Sequence, residues 1–187
     1  MDLPWGDEKT VQFVTNAGLI TSDGPYGPNV MAAEWTHHVS YKPGLIAVCI
    51  GFGKATLENI QKTKEFGVNI TSVDQSVMSS VAGSYSGKEV DKISALKELG
   101  FKFYPAKKIK QLMVEGAALN AECKLIKEIT LGDHVMLVGE VVEASASGTE
   151  PLAYQKGKYW NLNTNIEKPS EKEQARIGQI VEKHRKK

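Results

Sequence analysis

The stretch that decides the predicted fold is AGLITSDGPYGPNVMAAEWTHHVSYKPGLIAVCIG, residues 17–51. Residues 17–22, 30–40 and 44–51 are rich in residues that suit β-strands, and the last run is continuously apolar, which indicates burial on both faces. The connecting segments are SDGPYGPN, with two glycines and two prolines, and the turn YKPG. Three strands and two turns within about 35 residues predict an antiparallel meander.

The rest of the chain adds further strands and a few short helices. Residues 118–132 and 134–146 show alternating patterning around Gly132-Asp133 and predict a long hairpin, and a shorter hairpin is predicted within residues 151–162. Residues 56–65 predict a helix with Thr56 at its N-cap. The remaining predicted elements are a strand at 66–72 and helices at 7–14, 76–82, 92–100 (closed by Gly100) and 170–186.

These elements predict a mainly β protein with flanking helices. Six or more strands in antiparallel connection indicate a closed or nearly closed barrel, because a layered α/β sheet would need regular alternation of strands and helices. A chain of 187 residues with 41% hydrophobic content is long enough for one self-sufficient core and short for two. We therefore expect a single domain over residues 1–187, with residues 163–187 as a helical tail.

Composition narrows the possible partners and locations. The chain carries 23 basic and 22 acidic residues, a formal charge of +1, so we expect no nucleic-acid partner. No positively charged start precedes an apolar segment, and no run approaches the ~18 apolar residues that a membrane span needs. We therefore expect a cytoplasmic protein without membrane contact. Cys49 and Cys123 lie far apart within apolar segments, which predicts buried free thiols rather than a metal or redox pair.

The segment LIAVCIGFGKATLENI, residues 45–60, has the character of an anion site. It is not a P-loop, because Val48 stands where the first glycine is needed and Ala55 where the serine or threonine is needed. A helix that begins near Thr56 would nevertheless point free backbone N–H groups and the positive end of its dipole at an anion, with Lys54 close by. The residues alone leave a helix cap with a surface lysine as the alternative.

The strand from residue 29 to 36 contains several candidates for ligand contact. Alternation places Asn29, Met31, Ala33 and Trp35 on one face and the intervening residues on the other, and the two alanines leave room for a ligand near the backbone. Glu34 is hard to explain as a core residue, because a buried carboxylate needs donors. His37 and His38 follow this stretch on opposite faces of a strand, so they cannot share a metal ion.

Several segments together resemble the flavin reductase-like family of FMN-binding split barrels, which includes flavoredoxin. They occur in the family's order over residues 11–162 and are NVMAAEWTHHVSYKPGLIAVCI, KATLENI, EFGVNI, GDHVMLVGEV and PLAYQKGKYW. The most specific are the N-x-x-x-A-x-W stretch, the T-x-x-x-I helix start and the G-D-H start of the late strand. The resemblance implies a six-stranded split barrel, a homodimer and one FMN per subunit near the dimer interface.

The resemblance also implies roles for particular residues. Phosphate contact is implied for Lys54 and Thr56, with Lys92 as a second phosphate partner, and His134 is the implied catalytic residue beside the flavin and the nicotinamide pocket. The full set of implied FMN-binding residues is Asn29, Met31, Ala32, Ala33, Glu34, Trp35, Thr36, Cys49, Ile50, Gly51, Lys54, Ala55, Thr56, Ser84 and Lys92.

The leading functional hypothesis is an NAD(P)H-dependent flavin reductase that passes hydride through FMN between small-molecule donor and acceptor, with a redox protein as a further candidate partner. Hydride transfer needs no general acid or base, so the lack of a nucleophile motif does not count against it. Two alternatives remain open: a flavoredoxin-type electron carrier without nicotinamide turnover, and a non-catalytic flavin-binding protein. The absence of a G-x-G-x-x-G motif fits all three hypotheses.

Overall fold

The computed structural model describes residues 1–163 and 167–185, apart from the side chains of residues 182 and 183. Its strands are β1 Thr15–Asn16, β2 Gly18–Ser22, β3 Asn29–Ala33, β4 Thr36–Tyr41, β5 Gly44–Gly51, β6 Glu65–Ile70, β7 Phe103–Pro105, β8 Leu112–Val114, β9 Leu119–Leu131, β10 His134–Ala146, β11 Ala153–Gln155 and β12 Lys158–Trp160. Its α-helices are α1 Ala55–Thr63, α2 Ser76–Ser84, α3 Lys92–Glu98 and α4 Glu171–Lys183.

The centre of the fold is an antiparallel barrel. Seven strands are hydrogen-bonded in the order β3-β2-β6-β9-β10-β5-β4. The two strands at the ends of this order, β3 and β4, are consecutive in the chain and are separated only by Glu34 and Trp35. The segment 29–41 therefore links the two ends of the sheet and closes it, and if this segment is counted as one bent strand the barrel has six strands. The predicted mainly β barrel is confirmed.

The core has two parts because β2 is buried on both faces and its neighbour β3 packs against helices on its outer face. The barrel interior contains Ile20, Val48, Ile50, Phe66, Val68, Cys123 and Leu137. The outer faces of β2 and β3 pack against α2 and α3 through Leu19, Val30, Met78, Ala82, Ile93 and Leu96. Leu19 and Ile20 are adjacent and both fully buried, since neighbouring strand residues point to opposite faces. This packing fixes α2 and α3 beside β3.

Both predicted hairpins are confirmed. β9 and β10 pair antiparallel around Gly132-Asp133, with register shifts near Gly139 and Val141. β11 and β12 pair around Lys156 and Gly157, which both have positive φ, as a tight two-residue hairpin turn requires. Gly100 follows α3 with φ +91°, the left-handed conformation predicted for it.

Other predictions were wrong in detail. The predicted strand 30–40 is broken at Glu34 and Trp35, because the chain must turn there from one end of the sheet to the other. The predicted helix 7–14 is only a 3₁₀ turn at Thr10–Gln12, since it has no buried residue to hold a longer helix. The short pair β7–β8 was missed. The predicted helix 170–186 is observed as α4, and residue 186 lies outside the described residues.

Candidate functional site

A cleft of about 1400 Å³ opens beside the point where the barrel closes. Its walls come from the N-terminal segment, β3, the 34–35 bend, the end of β5, the start of α1, the segment that joins α2 to α3, the start of β10 and the β11–β12 hairpin. These elements are far apart in sequence, and the barrel brings them together.

The cleft collects most of the residues singled out from the sequence. Two of them are elsewhere: Thr36 is 1% exposed and donates its hydroxyl to the Ala33 carbonyl, and Ile50 lies in the barrel core. Neither side chain lines the cleft. The predicted residues that do line it are Asn29, Met31, Ala32, Ala33, Glu34, Trp35, Cys49, Gly51, Lys54, Ala55, Thr56, Ser84, Lys92 and His134.

The start of α1 differs from the prediction that Thr56 is the N-cap. Lys54 occupies that position, and no side chain in the described part of the chain caps the helix. Thr56 is the second helical residue, is 1% exposed, and accepts a hydrogen bond from Asn29 Nδ2 at 2.9 Å through its Oγ1. The sequence favoured Thr56 over Lys54 as the N-cap, because threonine is a preferred capping residue and lysine is not. The first turn of α1 therefore presents uncapped backbone N–H groups to the cleft.

Lys92, the first residue of α3, is the most unusual charge in the cleft. It is 2% exposed, and in the described part of the chain its Nζ has one hydrogen bond, to the Ala82 carbonyl at 3.1 Å. Burial lowers the pKa of Lys92 to about 8, and the positive charge of Lys54 acts in the same direction. A buried ammonium with unused donors, near a second lysine and an uncapped helix start, favours an anionic ligand.

Asn29 adds a second sign of a ligand-facing site. It is 4% exposed and lines the cleft, and its Oδ1 has no hydrogen-bond donor among the described residues. An unpaired buried carbonyl oxygen destabilises the folded state unless a water or a ligand donates to it. The anion end of the cleft is thus rich in polar groups that the protein alone leaves unsatisfied.

The rim of the cleft carries an aromatic pair. Trp35, 48% exposed, lies 4.6 Å from the His134 ring between ring centroids, with the planes tilted by 48°. Asp133 Oδ1 is 2.7 Å from His134 Nδ1, and this hydrogen bond lowers the pKa of Asp133. When the ring is neutral, a carboxylate partner makes Nδ1 the donor and leaves Nε2, which lies beside Gly51, as the acceptor.

The inner wall holds two groups with perturbed acidity. Burial raises the pKa of the Glu34 carboxyl, and a hydrogen bond with Trp5 partly opposes this shift. Burial also raises the pKa of the Cys49 thiol, so Cys49 faces the cleft as a neutral group near pH 7. Within the described ranges, no three His, Cys, Asp or Glu side chains come together in a way that could hold a metal ion.

Sequence reasoning missed two walls of the cleft. Trp5 and Phe13 lie on the N-terminal segment, and Tyr154 and Lys156 on the β11–β12 hairpin. The sequence does contain a signal for the N-terminal wall: large aromatic side chains in a polar segment without helical periodicity indicate contact with another surface. The hairpin wall had none, because its position depends on the pairing of β11 with β1.

Comparison with known proteins identifies the class to which this fold and cleft belong. Residues 10–163 match the family model described as the flavin reductase like domain. An uncharacterised protein of Archaeoglobus fulgidus is 32% identical over 140 residues, covering 75% of each chain. The FMN reductase (NADH) SmoA of Agrobacterium fabrum is 24% identical over 79% of each chain. The structure of flavin reductase PheA2 superposes with a TM-score of 0.73 and 29% identity, covering 88% of this chain and all of that one.

The chain belongs to the flavin reductase like family. The predicted split-barrel fold is confirmed, and so is the predicted class, a flavin-reducing oxidoreductase with flavin and nicotinamide chemistry. None of the helices in the described part of the chain has the length and apolar character that a bilayer crossing demands.

Proposed function

We propose that this protein binds FMN in the cleft and reduces it with NADH or NADPH for delivery to an acceptor. The observation that carries the proposal is the anion end of the cleft, where buried Lys92 and the uncapped start of α1 face the same space. A phosphate monoester is an anion that such a site suits, since it accepts several charge-assisted hydrogen bonds at once.

Three groups would hold the FMN phosphate. The backbone N–H groups of Ala55 and Thr56 are at the positive end of α1, Lys92 supplies a desolvated ammonium, and Lys54 supplies an exposed one. The small side chains of Ala32 and Ala33 would let the flavin ring approach the β3 backbone. β3 is at the end of the sheet order, so among the described residues one of its edges has no strand partner and can hydrogen-bond a ligand.

The cleft has room for a second ligand. Pockets for one drug-sized molecule measure roughly 300–1,000 Å³, and this cleft is larger, at about 1400 Å³. We propose that the nicotinamide enters at the rim formed by Trp35 and His134. FMN, when bound, supplies the two-electron acceptor, and the chain's own residues position both ligands and limit water. His134, oriented by Asp133, would present Nε2 as an acceptor to the incoming nicotinamide.

The test of this function is spectroscopic and kinetic. The purified protein with added FMN is expected to retain one flavin per chain and to oxidise NADH or NADPH with excess FMN as acceptor. A protein that retains no flavin would contradict the proposal. A bound flavin that is reduced by a reduced ferredoxin but not by either nicotinamide would establish the electron-carrier alternative instead.

Lys54→Ala is expected to weaken FMN binding about threefold to tenfold, because an exposed charge contributes less than a desolvated one. Fluorescence titration at low and high salt measures the effect. The difference in affinity between wild type and variant should shrink at high salt, because salt screens the attraction that Lys54 supplies in the wild type. Lys62→Ala, in the last turn of the same helix, is the matched control and should leave affinity unchanged. Equal effects of both substitutions would remove Lys54 from the site.

We further propose that the protein is a homodimer. Support comes from large exposed apolar side chains: Trp5 and Phe13 at the cleft, Phe52 after β5, and Trp160 on the β11–β12 hairpin. Exposed apolar surface of this kind is typical of protein interfaces. Light scattering at micromolar concentration is expected to give twice the chain mass of 20.5 kDa, and a monomer mass would contradict the proposal.

A further inference from the structure

The segment that joins α2 to α3, residues 85–90, forms one wall of the anion end of the cleft. Tyr85, Ser86, Gly87 and Glu89 line the cleft, and the segment leads into the buried Lys92. It contains no strand or helix and lies between two helices that are packed on the barrel. What holds this wall in place therefore matters for any ligand behind it.

On its outer side, the segment is tied to α1 by a three-residue cluster, which we call the latch: Tyr26, Glu58 and Lys88. Lys88 Nζ donates to Glu58 Oε1 at 2.6 Å, and Tyr26 Oη donates to Glu58 Oε2 at 2.8 Å. Lys88 Nζ also lies 4.9 Å from the centre of the Tyr26 ring. The hydrogen bond from Lys88 lowers the pKa of Glu58, and the same bond raises the pKa of Lys88.

The base of the latch is fixed. The Tyr26 backbone N–H donates to Asn59 Oδ1 at 3.1 Å, and Asn59 Nδ2 donates to the Gly27 carbonyl at 3.0 Å. Asn59 itself is fully buried. The turn that carries Tyr26 is therefore fastened to α1, and Lys88 is the partner that comes from the 85–90 segment.

On its inner side, the segment rests on a residue of the anion site. A Cβ atom on Gly87 would lie 2.5 Å from Asn29 Oδ1, so the Gly87 backbone sits directly against the Asn29 amide. Asn29 in turn donates to Thr56 in the first turn of α1. Movement of the 85–90 segment would therefore uncover Asn29 and the start of α1 together.

We propose that the latch holds the 85–90 segment closed over the anion end of the cleft and sets the rate at which FMN leaves. The inference rests on the proposed FMN function. Tyr26, Glu58 and Lys88 do not themselves line the cleft. Only the backbone segment that carries Lys88 borders it. The latch thus acts by keeping the wall in position and not by contact with the ligand.

Glu58→Gln separates this role from simple electrostatics. Glu58 lies in the first turn of α1, so loss of its negative charge should tighten the binding of an anion there and slow its release. The latch requires the opposite: FMN dissociation, measured by stopped-flow fluorescence, should become roughly two- to fivefold faster, the scale of a partly exposed ion pair. Lys88→Met should do the same, and the double variant should be no faster than either single one.

A matched control and a flavin-free measurement complete the test. Glu128→Gln breaks the comparable 2.7 Å pair with Lys64 and should change neither release nor segment 85–90. Amide hydrogen exchange of residues 85–90 without flavin should be faster in Glu58→Gln than in wild type. Unchanged exchange, or equal or slower FMN release, would overturn the proposal. If the wild type binds no FMN, the proposed function fails, and the exchange result still decides whether the latch holds the segment.

Discussion

Lys92→Met is expected to weaken FMN binding about 10-fold to 100-fold, the scale of a charge-assisted hydrogen bond worth roughly 1.5–3 kcal/mol. The reason is that Lys92 is almost fully buried, has a single carbonyl partner among the described residues, and faces the proposed phosphate position. Methionine has a similar length and no charge, so the packing of α3 should be retained. Fluorescence titration with FMN gives the affinity, and Lys97→Met on the exposed side of the same helix is the control.

The same substitution should stabilise the protein without flavin, by on the order of 2 kcal/mol near pH 7, because it removes a desolvated charge. The pKa of Lys92 is about 8 in the folded protein against an ordinary value of 10.5. Between these two pH values the unfolded chain binds more protons than the folded protein. The destabilisation of the folded protein by the buried Lys92 charge is therefore complete below pH 8 and is relieved as pH rises toward 10.5.

Urea unfolding from pH 7 to pH 10 should therefore show the wild type approaching the stability of Lys92→Met. FMN binding should weaken over the same range, because the neutral amine no longer attracts the phosphate. If Lys92→Met binds FMN as tightly as wild type, Lys92 is not part of the site. If Lys92→Met is less stable than wild type at pH 7, the charge of Lys92 is compensated in the folded protein.

Gly139→Ala is expected to lower the free energy of unfolding by about 3 kcal/mol, an overpacking cost. Gly139 lies in β10 at a register shift, and an added Cβ would be 2.5 Å from Phe66 Cζ and 2.8 Å from Cys123 Cβ. Both neighbours are fully buried in the barrel interior, where no side chain can move aside cheaply. The midpoint of urea unfolding should fall while its slope stays constant.

Two further variants check the cause of that loss. Gly44→Ala, in the paired strand β5, would place its Cβ 3.8 Å from Val141, an ordinary contact, and should change stability little. Phe66→Leu alone should lower the free energy of unfolding. In the Gly139→Ala background the same substitution should lower it much less, because the smaller side chain makes room for the new methyl group. Additive effects of the two substitutions would mean that the clash with Phe66 is not the source.

Much of the fold could be predicted because local patterns agree with it. The β9–β10 hairpin has clear alternation around Gly132-Asp133, and Gly100 terminates the helical stretch after α3 as its sequence indicates. The break at Glu34 and Trp35 could not be predicted, because nothing local distinguishes it from a continuing strand. It is imposed by the need to close the sheet, which involves residues far away in sequence.

The candidate site was predictable to the extent that it lies on β3, β5 and the start of α1. Lys92 was singled out through the family resemblance, but its burial and its lowered pKa follow from the packing of α3 on β3. The latch was invisible in the sequence, since Tyr26, Glu58 and Lys88 come from three separate segments. Such clusters depend on tertiary structure alone.

The joining of β3 to β4 through Glu34 and Trp35 has a consequence for the evolution of chain length in this protein. An extra residue at a hairpin tip such as Gly132-Asp133 only lengthens a loop, which costs little. An extra residue at the 34–35 bend would change the circumference of the barrel or exchange the inward and outward side chains of one strand, since strand side chains alternate with a period of two. Insertions at the hairpin tips should therefore cost little folding stability, although one at Gly132-Asp133 would displace the Asp133 partner of His134. Insertions at the bend should be excluded by the fold itself.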